Sequence, residues 1–209
     1  MAEIKAIETF YNGYRFRSRL EARWAVFFDD AGIKYQYEPE GFKLPNGAWY
    51  LPDFYLPWFD LYLEVKPTGL EDHVISQAKD KLESMFSGGH FGNEENGFFV
   101  GLLIGDPLEQ KNKWILCNYS DDEGGGCMWF PFYFCEGAWY KQERGFTKHC
   151  VTVVVGADGY SDEDTVFYNS AFGTNGYVIN DCEVTTFRDN FTESAKVARQ
   201  ARFEHGECG

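Results

Sequence analysis

The stretch Pro52-Asp53-Phe54-Tyr55-Leu56-Pro57-Trp58-Phe59-Asp60-Leu61-Tyr62-Leu63-Glu64-Val65-Lys66 decides the fold. Its second half alternates: Leu61, Leu63 and Val65 fall on one face of an extended strand and Tyr62, Glu64 and Lys66 on the other, because successive side chains in a strand point to opposite sides. Its first half reads as the end of another strand, Trp49 to Leu56, and Pro57 and Asp60 bracket a tight connection at Trp58-Phe59. An antiparallel hairpin centred there sets Asp53 opposite Glu64. Facing side chains in such a ladder have Cβ atoms about 4.5–5.5 Å apart, and like charges at that separation are destabilising. A divalent cation removes the penalty, since two carboxylates can share one Mg²⁺ or Mn²⁺ while waters complete the shell and give way to a phosphate. Lys66 projects from the same face toward the same point. Its ammonium can orient or help deprotonate a water and offset charge developing on an attacked phosphate.

Outward from this hairpin, Ser18-Arg19-Leu20-Glu21 reads as a capping box, and Leu20, Trp24, Phe27, Phe28 and Ala31 recur at helical spacing as far as Gly32. Ile33 to Tyr37 reads as a strand, and Pro45-Asn46-Gly47 as the turn into the strand Trp49 to Leu56. Beyond Lys66, residues Leu70 to Phe86 predict a second helix, and Phe98 to Ile104 a buried strand. The order is helix, three strands, helix, strand. Past Gly105 the pattern gives short aromatic-rich strands at Trp114 to Tyr119, Trp129 to Cys135 and Val151 to Val155, then a helix from Thr192 to Glu204. The expected fold is α/β (α+β), a mixed sheet flanked by helices. Residues 1–105 form its core, and residues 106–209 an acidic, β-rich extension packed on that core or standing apart.

Composition sets bounds on what such a fold can do. With 209 residues, 44% of them hydrophobic and 19% aromatic, the chain can bury a substantial core. No stretch has the length of a membrane span, and the first fifteen residues lack the apolar run of a signal peptide, so a cytoplasmic protein is expected. The net charge of -14 excludes nonspecific coating of nucleic acid as a main role. That charge is unevenly spread: residues 1–69 hold 8 of the 19 Lys/Arg and 10 of the 33 Asp/Glu, which leaves 11 against 23 for the remainder. An acidic second part is suited to a protein partner. Of the six cysteines, Cys117, Cys127, Cys135 and Cys150 cluster, with His149 beside the last, but none lies at the close spacing of ordinary zinc ligands. Reduced thiols are the expectation, and a structural Zn²⁺ the alternative.

Pro52-Asp53, ten intervening residues, then Glu64-Val65-Lys66 resembles the signature of the PD-(D/E)xK nuclease superfamily, which includes restriction enzymes, junction resolvases and mismatch-repair endonucleases. The resemblance covers residues 14 to about 104. It implies a restriction-endonuclease-like core of the element order already read. It also implies that Asp53 and Glu64 bind Mg²⁺ or Mn²⁺ together with the Val65 carbonyl, that Lys66 manages the attacking water, and that Glu21 of the first helix binds a water or second metal. Gln77, eleven residues beyond Lys66, stands where several branches place a helix glutamine, although Lys81 replaces the tyrosine that exonuclease-like branches carry four residues later. More loosely, Arg15 to Ala25 and Arg199 to Glu207 resemble small phage-encoded members, some with a compact Cys/His element that lacks its C-x-x-C here.

Each residue also has a plainer reading. The capping box alone explains Glu21, and solvated ion pairs explain Arg15, Arg17, Arg19 and Arg23 as readily as phosphate contacts do. Lys79 and Lys81 read as surface charges, His73 and His90 carry no role, and Gly124-Gly125-Gly126 reads as a flexible turn. The aromatics Trp129 to Phe134 read as core or interface ahead of base stacking. The functional expectation is a metal-dependent DNA endonuclease in phage or bacterial DNA processing, repair or defence. Its rivals are a catalytically idle nuclease-fold protein that meets a partner through its acidic part, and a junction- or RNA-directed nuclease.

Overall fold

The computed structural model describes residues 6–86, 98–109, 113–121, 124–141, 146–155, 166–169, 184–188 and 191–203. A hairpin of β1 (Thr9–Tyr11) and β2 (Tyr14–Phe16) opens the chain, turning through Asn12 and Gly13, both at positive φ. Asn-Gly between two apolar strands is a strong hairpin signal, and the helix-first expectation passed over it. Helix α1 (Arg19–Asp30) then starts at the expected cap: Ser18 is extended and its hydroxyl accepts from the Glu21 N–H at 3.2 Å, an arrangement worth about 1 kcal/mol. The helix ends as Gly32, at φ +69°, donates to the Asp29 carbonyl while Ile33 donates to that of Phe28. This is a Schellman closure, which needs the left-handed backbone that glycine adopts without strain. Trp24, Phe27 and Phe28 are buried on the inward face of the helix, and Leu20 is half-buried.

Strands β3 (Gln36–Tyr37), β6 (Phe54–Leu56), β7 (Leu61–Lys66) and β8 (Phe99–Ile104) lie side by side in that order, β7 antiparallel to β6 and parallel to β8. Two expectations are corrected here. The strand expected at Ile33 to Tyr37 is confined to its last two residues, and the strand expected from Trp49 to Leu56 is two strands in two sheets. β5 (Trp49–Tyr50) pairs with β4 (Phe42–Lys43) in a separate hairpin around Gly47, and only Phe54–Leu56 joins the main sheet. Pro52, which has no N–H to give a ladder, sits at the break. The register between β6 and β7 is the expected one: Phe54 faces Leu63, Tyr55 faces Tyr62 and Leu56 faces Leu61.

Beyond β8 the sheet continues through β9 (Lys113–Asp121), β10 (Gly124–Lys141), β11 (Phe146–Val155) and β12 (Val166–Asn169), with β13 (Val184–Arg188) also on β10. Gly124-Gly125-Gly126 is not a turn but the start of β10, paired to Asp121, Ser120 and Tyr119; a ladder needs only backbone groups, which glycine supplies. The first half of β10 pairs with β9 and the second half with β11, so one long strand carries the sheet onward.

The alternation in β7 sorts the interior into two layers. Leu61, Leu63 and Val65 join α1, the first hairpin, Phe132, Phe134 and the last helix α3 (Thr192–Gln200) in one core; Tyr62 joins α2 (Asp72–Met85) and the β4–β5 hairpin in the other. The architecture is therefore α+β, a mixed sheet flanked by helices. Because Ala195 and Ala198 of α3 pack in the α1 core, the second half of the chain shares the interior of the first. Among the described residues no helix is long and apolar enough to cross a membrane.

Candidate active site

Strand β7 delivers Glu64 and Lys66, and the two meet: the Lys66 ammonium pairs with Glu64 Oε1. The Tyr50 hydroxyl donates to the other oxygen, Oε2, at 2.8 Å. Asp53 lies in a bend one residue before β6, next along the chain from the Phe54–Leu63 pair that ends the ladder. Its Oδ2 accepts the Val65 N–H at 2.7 Å, so the carboxylate is clamped to β7. Since a strand residue sends its N–H and C=O to the same edge, the Val65 carbonyl also faces this side. Asp53 and Glu64 are both buried, at 3% and 6% exposure.

Two further carboxylates approach. Glu21 stays with its cap: Oε1 accepts from the Ser18 hydroxyl at 2.7 Å, and Oε2 from the Tyr37 hydroxyl at 2.6 Å and the Arg17 N–H at 3.0 Å. Glu38 holds a left-handed backbone, φ 45°, uncommon for a side-chain-bearing residue, and its N–H donates to the Asp53 carbonyl at 2.9 Å. That conformation brings Glu38 Oε1 to Arg17 Nε at 2.7 Å, while Arg17 Nη2 sits 2.7 Å from Asp53 Oδ1. Arg17 thus bridges two of the four acids.

The electrostatics follow from this crowding. Burial pushes the Asp53 carboxyl well above the usual carboxylate range, and the charges of Glu64 and Glu21 push it further, against the pull of the Val65 N–H and Arg17. Glu38 is raised by burial too, with Glu21 and Glu64 adding to it and Arg17 opposing. Burial, then the contact with Glu64, keeps the Tyr50 phenol protonated as a donor. Behind Lys66, its carbonyl accepts the Gly105 N–H at 2.7 Å, and the Gly105 carbonyl accepts the Trp24 indole N–H at 2.9 Å. These bonds tie α1, β7 and β8 together where the site stands. Gly105 is at φ +85°, and a Cβ there would meet Thr68 and Glu109 at under 3 Å.

Hard oxygen donors with surplus negative charge suit Mg²⁺ or Mn²⁺. Among the described residues no group of three or more His, Cys, Asp or Glu side chains is placed to hold a metal ion. A pair of carboxylates that leaves the remaining positions to water and phosphate fits an open site.

The other candidate residues lie elsewhere. Arg15 pairs with Glu8, Arg23 lies 3.7 Å from Asp106, and Arg19 is half-buried on α1, so of the four arginines Arg17 alone touches the carboxylates. Gln77 is exposed on α2, beside the buried positions Ala78, Leu82 and Met85. Lys79 is not a simple surface charge: its ammonium lies over the rings of Trp114 and Trp129, 4.6 and 5.1 Å from their centroids. His73 pairs with Glu71 at the surface, and His90 lies outside the described residues. For the zinc alternative, Cys127 is exposed, while the side chains of Cys117, Cys135, Cys150 and His149 lie outside the described residues. Phe132 and Phe134 are core, as the aromatic run implied.

Sequence reasoning missed Glu38, Tyr50 and Tyr37. Nothing in the string Tyr37-Glu38-Pro39 announces a left-handed glutamate, and Tyr50 lies inside the single strand expected from Trp49 to Leu56. No protein-family model matches the chain, and no curated protein matches it significantly.

Proposed function

We propose that the chain is a Mg²⁺- or Mn²⁺-dependent nuclease of the PD-(D/E)xK kind, on a restriction-endonuclease-like core, that hydrolyses DNA phosphodiester bonds in phage or bacterial DNA processing, repair or defence. The observation that carries this reading is the Glu64–Lys66 pair set beside a buried Asp53 whose carboxyl is raised by burial first and then by the charge of Glu64. Opposed buried carboxylates are costly to keep without a compensating cation, and a lysine at their side is matched to phosphoryl chemistry. A bound divalent ion supplies Lewis acidity and a seat for phosphate oxygens. Asp53 and Glu64 would hold it, with the Val65 carbonyl at the same edge. Lys66 orients the attacking water and offsets charge on the phosphate. Tyr50 fixes Glu64, and Glu21, through Ser18 and Tyr37, fixes the entry to α1 and the Arg17 backbone.

The idle binding-module reading draws on one observation, the Arg17 guanidinium on Asp53, which supplies a cation without any metal. One assay separates the two. Purified protein is incubated with supercoiled, linear and single-stranded DNA in Mg²⁺, Mn²⁺ or chelator, beside Asp53→Ala. Cleavage that needs the ion and Asp53 supports the nuclease; cleavage by Asp53→Ala equal to the parent sinks it.

A further inference from the structure

Asp53 has two oxygens, and their surroundings differ. Oδ2 is committed to the Val65 N–H at 2.7 Å, a bond internal to the sheet edge. Oδ1 is the oxygen left to ligate a cation, and Arg17 Nη2 already stands on it at 2.7 Å. A divalent ion on the same oxygen and a guanidinium beside it would be two like charges held close together, so each weakens the other's hold on Oδ1. Arg17 is also built to leave: its side chain is 55% exposed, so the head can turn outward with little loss of packing. Its root is fixed, because the Arg17 N–H donates to Glu21 Oε2 and the Tyr37 hydroxyl, at 3.0 Å each. Glu38, whose N–H donates to the Asp53 carbonyl, has Oε1 2.7 Å from Nε, a charge contact without hydrogen-bond geometry that still attracts the head when Nη2 lets go.

We propose that Arg17 is the resident counter-ion of Asp53 and the residue through which divalent-cation binding and phosphate binding are linked. A cation arriving at Asp53 releases the guanidinium, which remains on Glu38 and presents its fork to a phosphate; a phosphate that draws Arg17 away uncovers Asp53 for the cation. Linkage of this kind is reciprocal, so each ligand tightens the other by the same factor. This rests on the metal site of the proposed nuclease and adds to it a reason for Arg17 and Glu38 to be there.

The test is Mn²⁺ titration of the metal-stripped full-length chain, followed by electron paramagnetic resonance, for the parent, Arg17→Met, Arg17→Gln, Asp53→Asn and Lys34→Met, each checked for folding by thermal melting. Lys34 lies over Trp58, touches none of the four acids and controls for loss of one positive charge anywhere. Removing the competing guanidinium should tighten Mn²⁺ about tenfold in Arg17→Met and Arg17→Gln, with Lys34→Met within about twofold of the parent. Thymidine 5′-monophosphate should narrow the gap between the parent and the Arg17 variants. Equal Mn²⁺ affinity in the parent and both Arg17 variants, equal tightening in Lys34→Met, or an unchanged gap with the nucleotide overturns the linkage while leaving the metal site intact. Mn²⁺ binding by Asp53→Asn as tight as by the parent, or by no protein in the set, overturns the metal site and the linkage with it.

Discussion

Two lysines flank β8 at the same end of the sheet, and they have opposite surroundings. Lys66 ends β7 on the α2 face, a quarter exposed, with its ammonium on Glu64. Lys113 starts β9 opposite Leu103 and turns to the α1 face, 2% exposed, with its ammonium over the Trp24 ring and donating to the Glu109 carbonyl at 3.0 Å. Burial depresses the Lys113 amine to about 8, against the opposing pull of Glu109 and Asp106. One cation therefore stands a quarter exposed against buried acids. The other is enclosed, its contacts made by an indole and a nearby loop, and works as a strut. A lysine at a sheet end becomes a candidate for chemistry through the acids that face it and the access it keeps, not through its strand position.

Replacing the two lysines gives the sharpest break in that comparison. Lys66→Met should lower the rate of metal-dependent DNA cleavage by roughly 10²–10³-fold, the scale of losing one charge-stabilising group from an active site, with little change in melting temperature. Lys113→Met should leave cleavage within a few-fold of the parent. If both variants cleave alike, the two faces are not functionally distinct and Lys66 has no special task.

The second contrast is in stability against pH. The native Lys113 amine releases its proton near 8, below the 10.5 of an ordinary lysine, so between those values the unfolded chain binds more protons than the folded one. Stability from this group therefore rises as pH goes from about 8 to 10.5, by roughly 3 kcal/mol if the whole shift is realised. Unfolding of Lys113→Met by urea at several pH values in this window should lack that rise. Parallel curves for variant and parent would show that the burial of Lys113 carries no such penalty.

These contrasts also mark what could be read along the chain. The hairpin register, the cap at Ser18, the stop at Gly32 and the two faces of β7 depend on neighbours a few residues apart, and each was legible. The Arg17 bridge was not, because residues 17, 38 and 53 meet only when the first hairpin, α1 and β6 are assembled. Lys79 looked like a surface charge since no local pattern shows that Trp114 and Trp129 come to lie beneath α2. The change of sheets at Pro52 had a visible cause, but alternation runs through it and hid the break. Of the site, the acids and lysine on the hairpin could be placed in advance; Glu38 and Tyr50 required the fold.

The smallest expected effect concerns the buried acids themselves. The Asp53 carboxyl is raised by burial and by Glu64 and Glu21, which means the folded state holds its proton more tightly than the unfolded state does. For an acid shifted this way, the stability it contributes is fully present below its ordinary value of 3.8 and is lost as pH rises through the folded value. Well above that ordinary value and without metal, Asp53 is then a burden on the fold. Asp53→Asn removes the charge while its amide oxygen can still accept the Val65 N–H. The variant should melt higher than the parent in chelator at pH 7.5, by about 1 kcal/mol or 2–4 °C, and the advantage should fade below about pH 4, where both side chains are neutral. Added Mg²⁺ should reverse the order, because an ion that binds only the folded parent stabilises it by mass action and the variant gains nothing. A destabilised Asp53→Asn in chelator would mean that the Arg17 bond outweighs the repulsion, and the cluster would then be a satisfied ion-pair network instead of a site waiting for a cation.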